Sequence, residues 1–304
     1  MGSTSVSSAE RAKCVHFDGP KGQLTGHLAA ERLECSIGGI ALIEAERSLV
    51  SDGEKSHSTR RAVLLGAVGL GLSAFGQRTV RAAEVVENYP LPVRDPSTYT
   101  AYIPTACKVG QFHWYTCEFD AAWAVMKTFG IEASFDEQIA TIGIDDRLEP
   151  YYQSTEDGFF IYGGDIGASW CGDYTHNLLA RTTGLAMRKV FKHFGMRAGR
   201  IRSRRGIRQS IDAGRLVWIK ATVDFLDFAP ATWVTPEGAT YPGVLGNDHA
   251  MIVIGYDADV VVIRDVLGPT DTNWNRAFEY EVDWQTFMYC WSAQGKDGLA
   301  VGPQ

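Results

Sequence analysis

Two uninterrupted apolar runs near the C-terminal end constrain this chain most: Ala250-Met251-Ile252-Val253-Ile254 and Val260-Val261-Val262-Ile263, separated by Asp257-Ala258-Asp259. Runs this short and this rich in β-branched residues predict strands buried on both faces, because a half-exposed strand would alternate with polar residues. The acidic three-residue link predicts a tight antiparallel turn. A third strand, Leu216-Val217-Trp218-Ile219, follows Gly214 and a predicted helix over 204–213.

Ahead of the strands the periodicity is helical. Phe119, Ala122, Trp123 and Met126 share one face of a helix that opens at Cys117 and is stopped at Gly130. Ser134 and Glu137 have capping-box spacing, with Phe135, Ile139 and Ile142 on the apolar face of a second helix. Asp173 predicts the cap of a third helix over 174–183, ended by Gly184. Helices first and an antiparallel sheet afterwards indicate an α+β domain.

The N-terminal part reads differently. Residues 1–57 are polar and aperiodic, which predicts disorder. Arg60-Arg61 then precedes an apolar run over 62–75, too short for a membrane span, and Val80-Arg81-Ala82 places small residues where a signal peptidase cuts. Residues 58–83 therefore read as a twin-arginine export signal, with the translocase as a transient partner and a periplasmic or extracellular destination. The long stretch ahead of the arginine pair suggests a true start near Val50. Cleavage after Ala82 leaves 222 of the 304 residues, enough for one substantial core. Residues 84–103 form a Pro-rich extended arm, and 104–304 the working domain, with no stable membrane span after cleavage.

The first 82 residues hold 10 of the 29 basic and 8 of the 36 acidic side chains, so the remainder is net acidic. That argues against nucleic acid as a partner. One basic cluster stands against the trend: Arg197, Arg200, Arg202, Arg204, Arg205 and Arg208, read as a solvated loop and helix face or as an anion-binding patch. The six cysteines lack zinc-ligand spacing, so neither a metal nor another cofactor is expected. Cys107, Cys171 and Cys290 could include one disulfide after export.

Four residues could do chemistry together. Cys117, at the first turn of its helix, lies near unpaired N–H groups that favour a thiolate. His249 starts one buried strand and Asp265 ends the next, which makes them neighbours able to form a base and its orienting carboxylate. Gln111, six residues before the cysteine, can donate to an oxyanion together with the Cys117 N–H. His113 is a rival base, but its setting between Phe112 and Trp114 suits a cleft wall better.

The order Gln, Cys, His, Asp and the flanking segments resemble the papain-like cysteine peptidases, in particular the bacteriocin-processing type (cysteine peptidase family 39) and its secreted relatives. The resemblance rests on Gln111-Phe112-His113-Trp114-Tyr115-Thr116-Cys117, on the helix–Gly–strand unit over 212–219, and on His249 to Asp257 with Val262 to Asp265. It spans about 104–300. It implies a papain-like fold, with the Cys helix packed on the C-terminal sheet, and hydrolysis of a peptide or protein substrate through an acyl-thioester. Cys117 would be the nucleophile, His249 the base and then acid, Asp265 the orienter and Gln111 the oxyanion donor. Relatives usually carry Gly after the nucleophile, whereas Glu118 stands here, with Asp120 close by; both carboxylates would oppose thiolate formation. The same residues could serve an amidase or acyltransferase, and Glu118 would also suit a degenerate domain that only binds peptide or cell-wall material.

Overall fold

The structure, a computed structural model, describes residues 15–16, 91–269 and 276–304. The expected export signal over 58–83 and all of the N-terminal extension except 15–16 lie outside the described residues. In chain order the strands are β1 (Val15–His16), β2 (Leu91–Pro92), β3 (Ala101–Tyr102), β4 (Lys108–Val109), β5 (Tyr151–Thr155), β6 (Gly158–Tyr162), β7 (Met196–Arg200), β8 (Leu216–Thr222), β9 (Pro230–Val234), β10 (Thr240–Val244), β11 (Asp248–Tyr256), β12 (Val260–Arg264), β13 (Glu279–Asp283) and β14 (Gly298–Pro303). The α-helices are α1 (Cys117–Thr128), α2 (Phe135–Ile142), α3 (Gly184–His193), α4 (Arg204–Asp212) and α5 (Trp284–Ala293).

An eight-stranded sheet in the order β2-β13-β12-β11-β8-β14-β7, with β3 paired to β11, organises the molecule. Its apolar strands are buried on both faces, as their unbroken runs predict. Leu216, Trp218, Ala250, Ile252 and Ile254 join Phe119 and Met126 of α1 and Val190 and Phe191 of α3 in one core. The alternate residues Val217, Ile219, Met251 and Val253 pack under Ile207 and Ile211 of α4 and Phe287 and Trp291 of α5 in a second core. Period-two alternation thus feeds two apolar layers from the same strands. At Gly255 the pairing with β12 shifts register, and a Cβ there would lie 2.9 Å from the Ala101 carbonyl oxygen, so β3 can approach only a glycine.

The arm is not free. Its β2 pairs with β13, the Ile103 N–H donates to Ile254 O at 2.8 Å, and Arg94 bridges Glu281 at 2.7 Å. The capping box forms as expected, with the Ser134 hydroxyl accepting from Glu137 N–H and the Glu137 carboxylate from Ser134 N–H.

Two expectations need correction. The helix expected over 174–183 is a run of turns: the Asp173 carboxylate accepts from the N–H groups of Thr175 (2.7 Å) and His176 (3.2 Å), and Asn177 is tied to Pro150 O. Gly184 begins a helix instead of ending one, because Asp297, far along the chain, accepts its N–H at 2.6 Å and supplies the cap. Nor do Cys107, Cys171 and Cys290 contain a disulfide among themselves, since Cys171 and Cys290 are buried free thiols. A second sheet, in the order β10-β9-β6-β5, was not anticipated; it encloses its own small core of Ile161, Ile166, Leu179 and Trp233. Among the described residues no helix is long and apolar enough to cross a membrane.

Candidate active site

Cys117 is the first residue of α1 and is buried against β11. The preceding loop is held from below. Asp120, one turn into the helix, accepts from the Phe112 N–H (2.9 Å) and the Thr116 hydroxyl (2.7 Å) and pairs with buried Lys108 at 2.7 Å. Burial pushes the Asp120 carboxyl up to about 6, with Lys108 and the two donors opposing. Asp120 therefore braces the Gln111–Cys117 loop through Phe112 and Thr116, with Lys108 as its charge partner. Lys108 also donates to Gly110 O at 2.7 Å and lies 4.0 Å from the centre of the Phe112 ring.

Gln111 reaches the cysteine. In the orientation that satisfies both ends of its amide, the nitrogen donates to Trp114 O (3.0 Å) and the oxygen accepts the Cys117 N–H (3.2 Å). The Cys117 N–H is thus covered by the side chain expected to work beside it. Turning the amide over would set its NH2 group next to that N–H, giving two adjacent donors.

His249 and Asp265 meet as the strand order predicts, Nε2 to Oδ1 at 2.8 Å, and both are buried. Asp265 is over-determined. Its Oδ1 also accepts the Leu267 N–H (2.8 Å), and its Oδ2 accepts the Tyr280 hydroxyl (2.8 Å) beside the Arg276 guanidinium (3.3 Å). Burial alone would raise this carboxyl, but the charges of His249 and Arg276 and these donors hold it well below the usual carboxylate range. Arg276 is itself balanced by Asp224 at 2.6 Å. The Asp265 bond fixes the imidazole orientation and leaves Nδ1 as the nitrogen free of hydrogen bonds among the described residues.

The sulfur sits beside this pair. The Ala250 N–H, next in the chain to His249, donates to Cys117 Sγ at 3.3 Å. The thiol itself donates to Glu118 Oε2 at 3.1 Å, not to the imidazole. Glu118 is buried, and its other oxygen pairs with Lys220 at 2.5 Å; Lys220 in turn pairs with Asp248 at 2.6 Å. Burial first, and then the Glu118 charge, push the Cys117 thiol well above its ordinary range, with Lys220 opposing. The expected effect of Glu118 on the Cys117 thiol therefore has a direct contact behind it.

His113 packs its ring on Phe135 and Tyr174, each 4.8 Å away between centroids, as a wall residue would. Tyr280, Arg276, Lys220 and Asp248 escaped the sequence reading. The nearest signal was the polarity of Lys220 at the end of a run that includes Trp218 and Ile219, and of Asp248 just ahead of the run that starts at Ala250.

Comparison with known proteins fits this arrangement. The model of the Peptidase_C39 like family matches residues 106–299. No curated protein matches the chain. A crystal structure described as that of a C39-like peptidase from Bacillus anthracis superposes with a TM-score of 0.50 at 16% identity, over 68% of this chain and 97% of that one, a likeness of fold. With the family match covering the Cys loop, the His strand and the Asp strand together, the chain belongs to the C39-like peptidases and is a cysteine peptidase of papain-like α+β fold.

Proposed function

We propose that this peptidase hydrolyses peptide bonds through a Cys117–His249–Asp265 triad and is exported in folded form by the twin-arginine route. The observation that carries the catalytic reading is the buried 2.8 Å pair of His249 with Asp265, set one residue from the N–H that contacts the Cys117 sulfur at 3.3 Å. His249 Nδ1 takes the thiol proton as Sγ attacks the scissile carbonyl carbon, and the new C–S bond pushes the carbonyl electrons onto oxygen. The Cys117 N–H and the turned Gln111 amide donate to that oxyanion, which requires Gln111 to release its present bond to the Cys117 N–H. The imidazolium protonates the departing amine, leaving an acyl-thioester. Water then attacks with His249 as base, and the thiol is regenerated. Asp265 keeps its charge throughout and stabilises the imidazolium.

Iodoacetamide labelling and peptide turnover test the assignment. Cys117 is expected to be the alkylated residue, and C117A and H249A should abolish cleavage while retaining the fold. Full activity in either variant would overturn it. Added amine should not divert the acyl group if water is the true acceptor. Export rests on Arg60-Arg61 and the run that follows. Replacing both arginines with lysine should retain the precursor in the cytoplasm, and unchanged export would refute that route.

A further inference from the structure

A pocket of about 90 Å³ lies between the second sheet and the start of α3, and the residues assigned to catalysis do not line it. Arg181, Lys220, Arg200 and Arg202 line it, with Trp233 and Ile161 among its apolar contacts. A single water needs only about 10–15 Å³ of such space, so the pocket admits a group of several heavy atoms. Two of the six arginines in the basic cluster thus have a destination. Arg204 and Arg208 are used otherwise, stacking on Trp284 (4.4 Å) and Tyr256 (5.1 Å).

The charges around the pocket do not cancel. Arg181 and Lys220 are buried, and Arg200 and Arg202 stand exposed at the rim. Opposite them are three carboxylates: Glu118 and Asp248 on Lys220, Asp248 also 3.8 Å from Arg181, and Asp297 capping Gly184. Among the described residues one positive charge is left over. Arg181 also keeps an unused donor: Nη1 is taken by Val244 O and Nε by Leu179 O, while the buried Nη2 has no hydrogen-bond partner among the described residues. A buried donor left unmatched costs stability unless something fills the site.

We propose that this pocket binds a carboxylate carried on a short apolar stem, the chemistry of a peptide's C-terminal residue, with Arg181 Nη2 and the rim arginines on the carboxylate and the stem against Ile161 and Trp233. None of the residues assigned to catalysis lines the site, which meets the thiol only through the Lys220–Glu118 pair, so its occupancy does not depend on the catalytic assignment.

The test is calorimetric titration of the full chain with N-acetyl-valine, its neutral amide, a short peptide ending in free valine, and inorganic phosphate. The N-acetyl-valine and the free-ended peptide should bind, and the amide and phosphate should bind at least about tenfold more weakly, because one lacks the charge and the other the stem. R202A and R200A, both exposed, should each weaken binding by about two- to fivefold. R181Q should weaken it by more than about tenfold; if that variant fails to fold, the rim variants decide. C117A should bind as the unmodified chain does, even if it proves equally active on peptides. Equal affinity for acid and amide, phosphate binding as tight as N-acetyl-valine, absence of binding, rim variants without effect, or loss of binding in C117A would each overturn the proposal. Binding of N-acetyl-valine without the peptide would restrict the ligand to free acids and overturn the peptide-terminus assignment.

Discussion

The carboxylate of Glu118 accepts the thiol hydrogen of its chain neighbour Cys117, Oε2 to Sγ 3.1 Å, while its other oxygen is tied to Lys220. The resting sulfur is therefore a buried thiol held by an anion, where the proposed catalytic step asks for a thiolate facing an imidazole.

Glu118→Gln should speed the chemistry at the sulfur. Removing the negative charge lowers the thiol pKa, since Glu118 and burial act in the same direction. Iodoacetamide alkylation at neutral pH is expected to accelerate by about tenfold, with the pH–rate midpoint moving to lower pH. An unchanged midpoint would show that burial alone sets it. Lys220 keeps Asp248 as a partner in this variant, which limits the structural cost.

Asp265→Asn should lower kcat by about 10²- to 10⁴-fold with little change in KM, because the imidazole loses its orienting anion while substrate contacts remain. Asp265→Ala is expected to be worse in a different way. It strips a charge partner from buried Arg276 and should destabilise the fold by about 3–5 kcal/mol, read by chemical denaturation.

Asp120 makes stability fall with rising pH over a defined window. Its carboxyl is pushed up to about 6 in the fold from an ordinary 3.8, so the native state holds this proton more tightly than the unfolded chain. That contribution is fully present below about pH 4 and is lost as the pH rises to about 6. In Asp120→Asn the slope of unfolding free energy against pH across this window should become more positive by about 1 kcal/mol per pH unit. Asp265 acts with the opposite sign: its depressed carboxyl adds stability that is lost as the pH falls below about 4, so in Asp265→Asn the fall of unfolding free energy with acid should be shallower over that range.

Trp114 stands 63% exposed in the loop between Gln111 and Cys117, and its own carbonyl holds the Gln111 amide. An exposed indole at that position is available to a substrate side chain. Trp114→Ala should raise KM several-fold with kcat within about twofold and leave the melting temperature unchanged, since little buried area is lost.

The site was more legible in the sequence than the scaffold around it. His249 sits on β11 and Asp265 directly follows β12, strands joined by three residues, so strand periodicity and a turn suffice to bring them together. Gln111 and Cys117 are six residues apart on one loop. Their supports come from elsewhere. Tyr280 and Arg276 reach Asp265 across a strand pairing, and Lys220 meets Glu118 from a strand a hundred residues away. The Asp157-Gly158 pair at the turn into β6 was a readable hairpin signal for half of the second sheet, but the parallel pairing of β6 with β9 was not local.

The sequence by itself determined the α+β order, the doubly buried strands, the capping box at Ser134 and the partnership of His249 with Asp265. Each depends on periodicity, turn chemistry or spacing within a few residues. Only the tertiary structure decided that Gly184 opens a helix, that Asp120 braces the Gln loop, and that Glu118 and not His249 accepts the thiol hydrogen bond at rest. The reason is that helix caps, buried ion pairs and desolvation depend on which distant groups arrive at the same place, and local sequence pattern carries no record of that meeting.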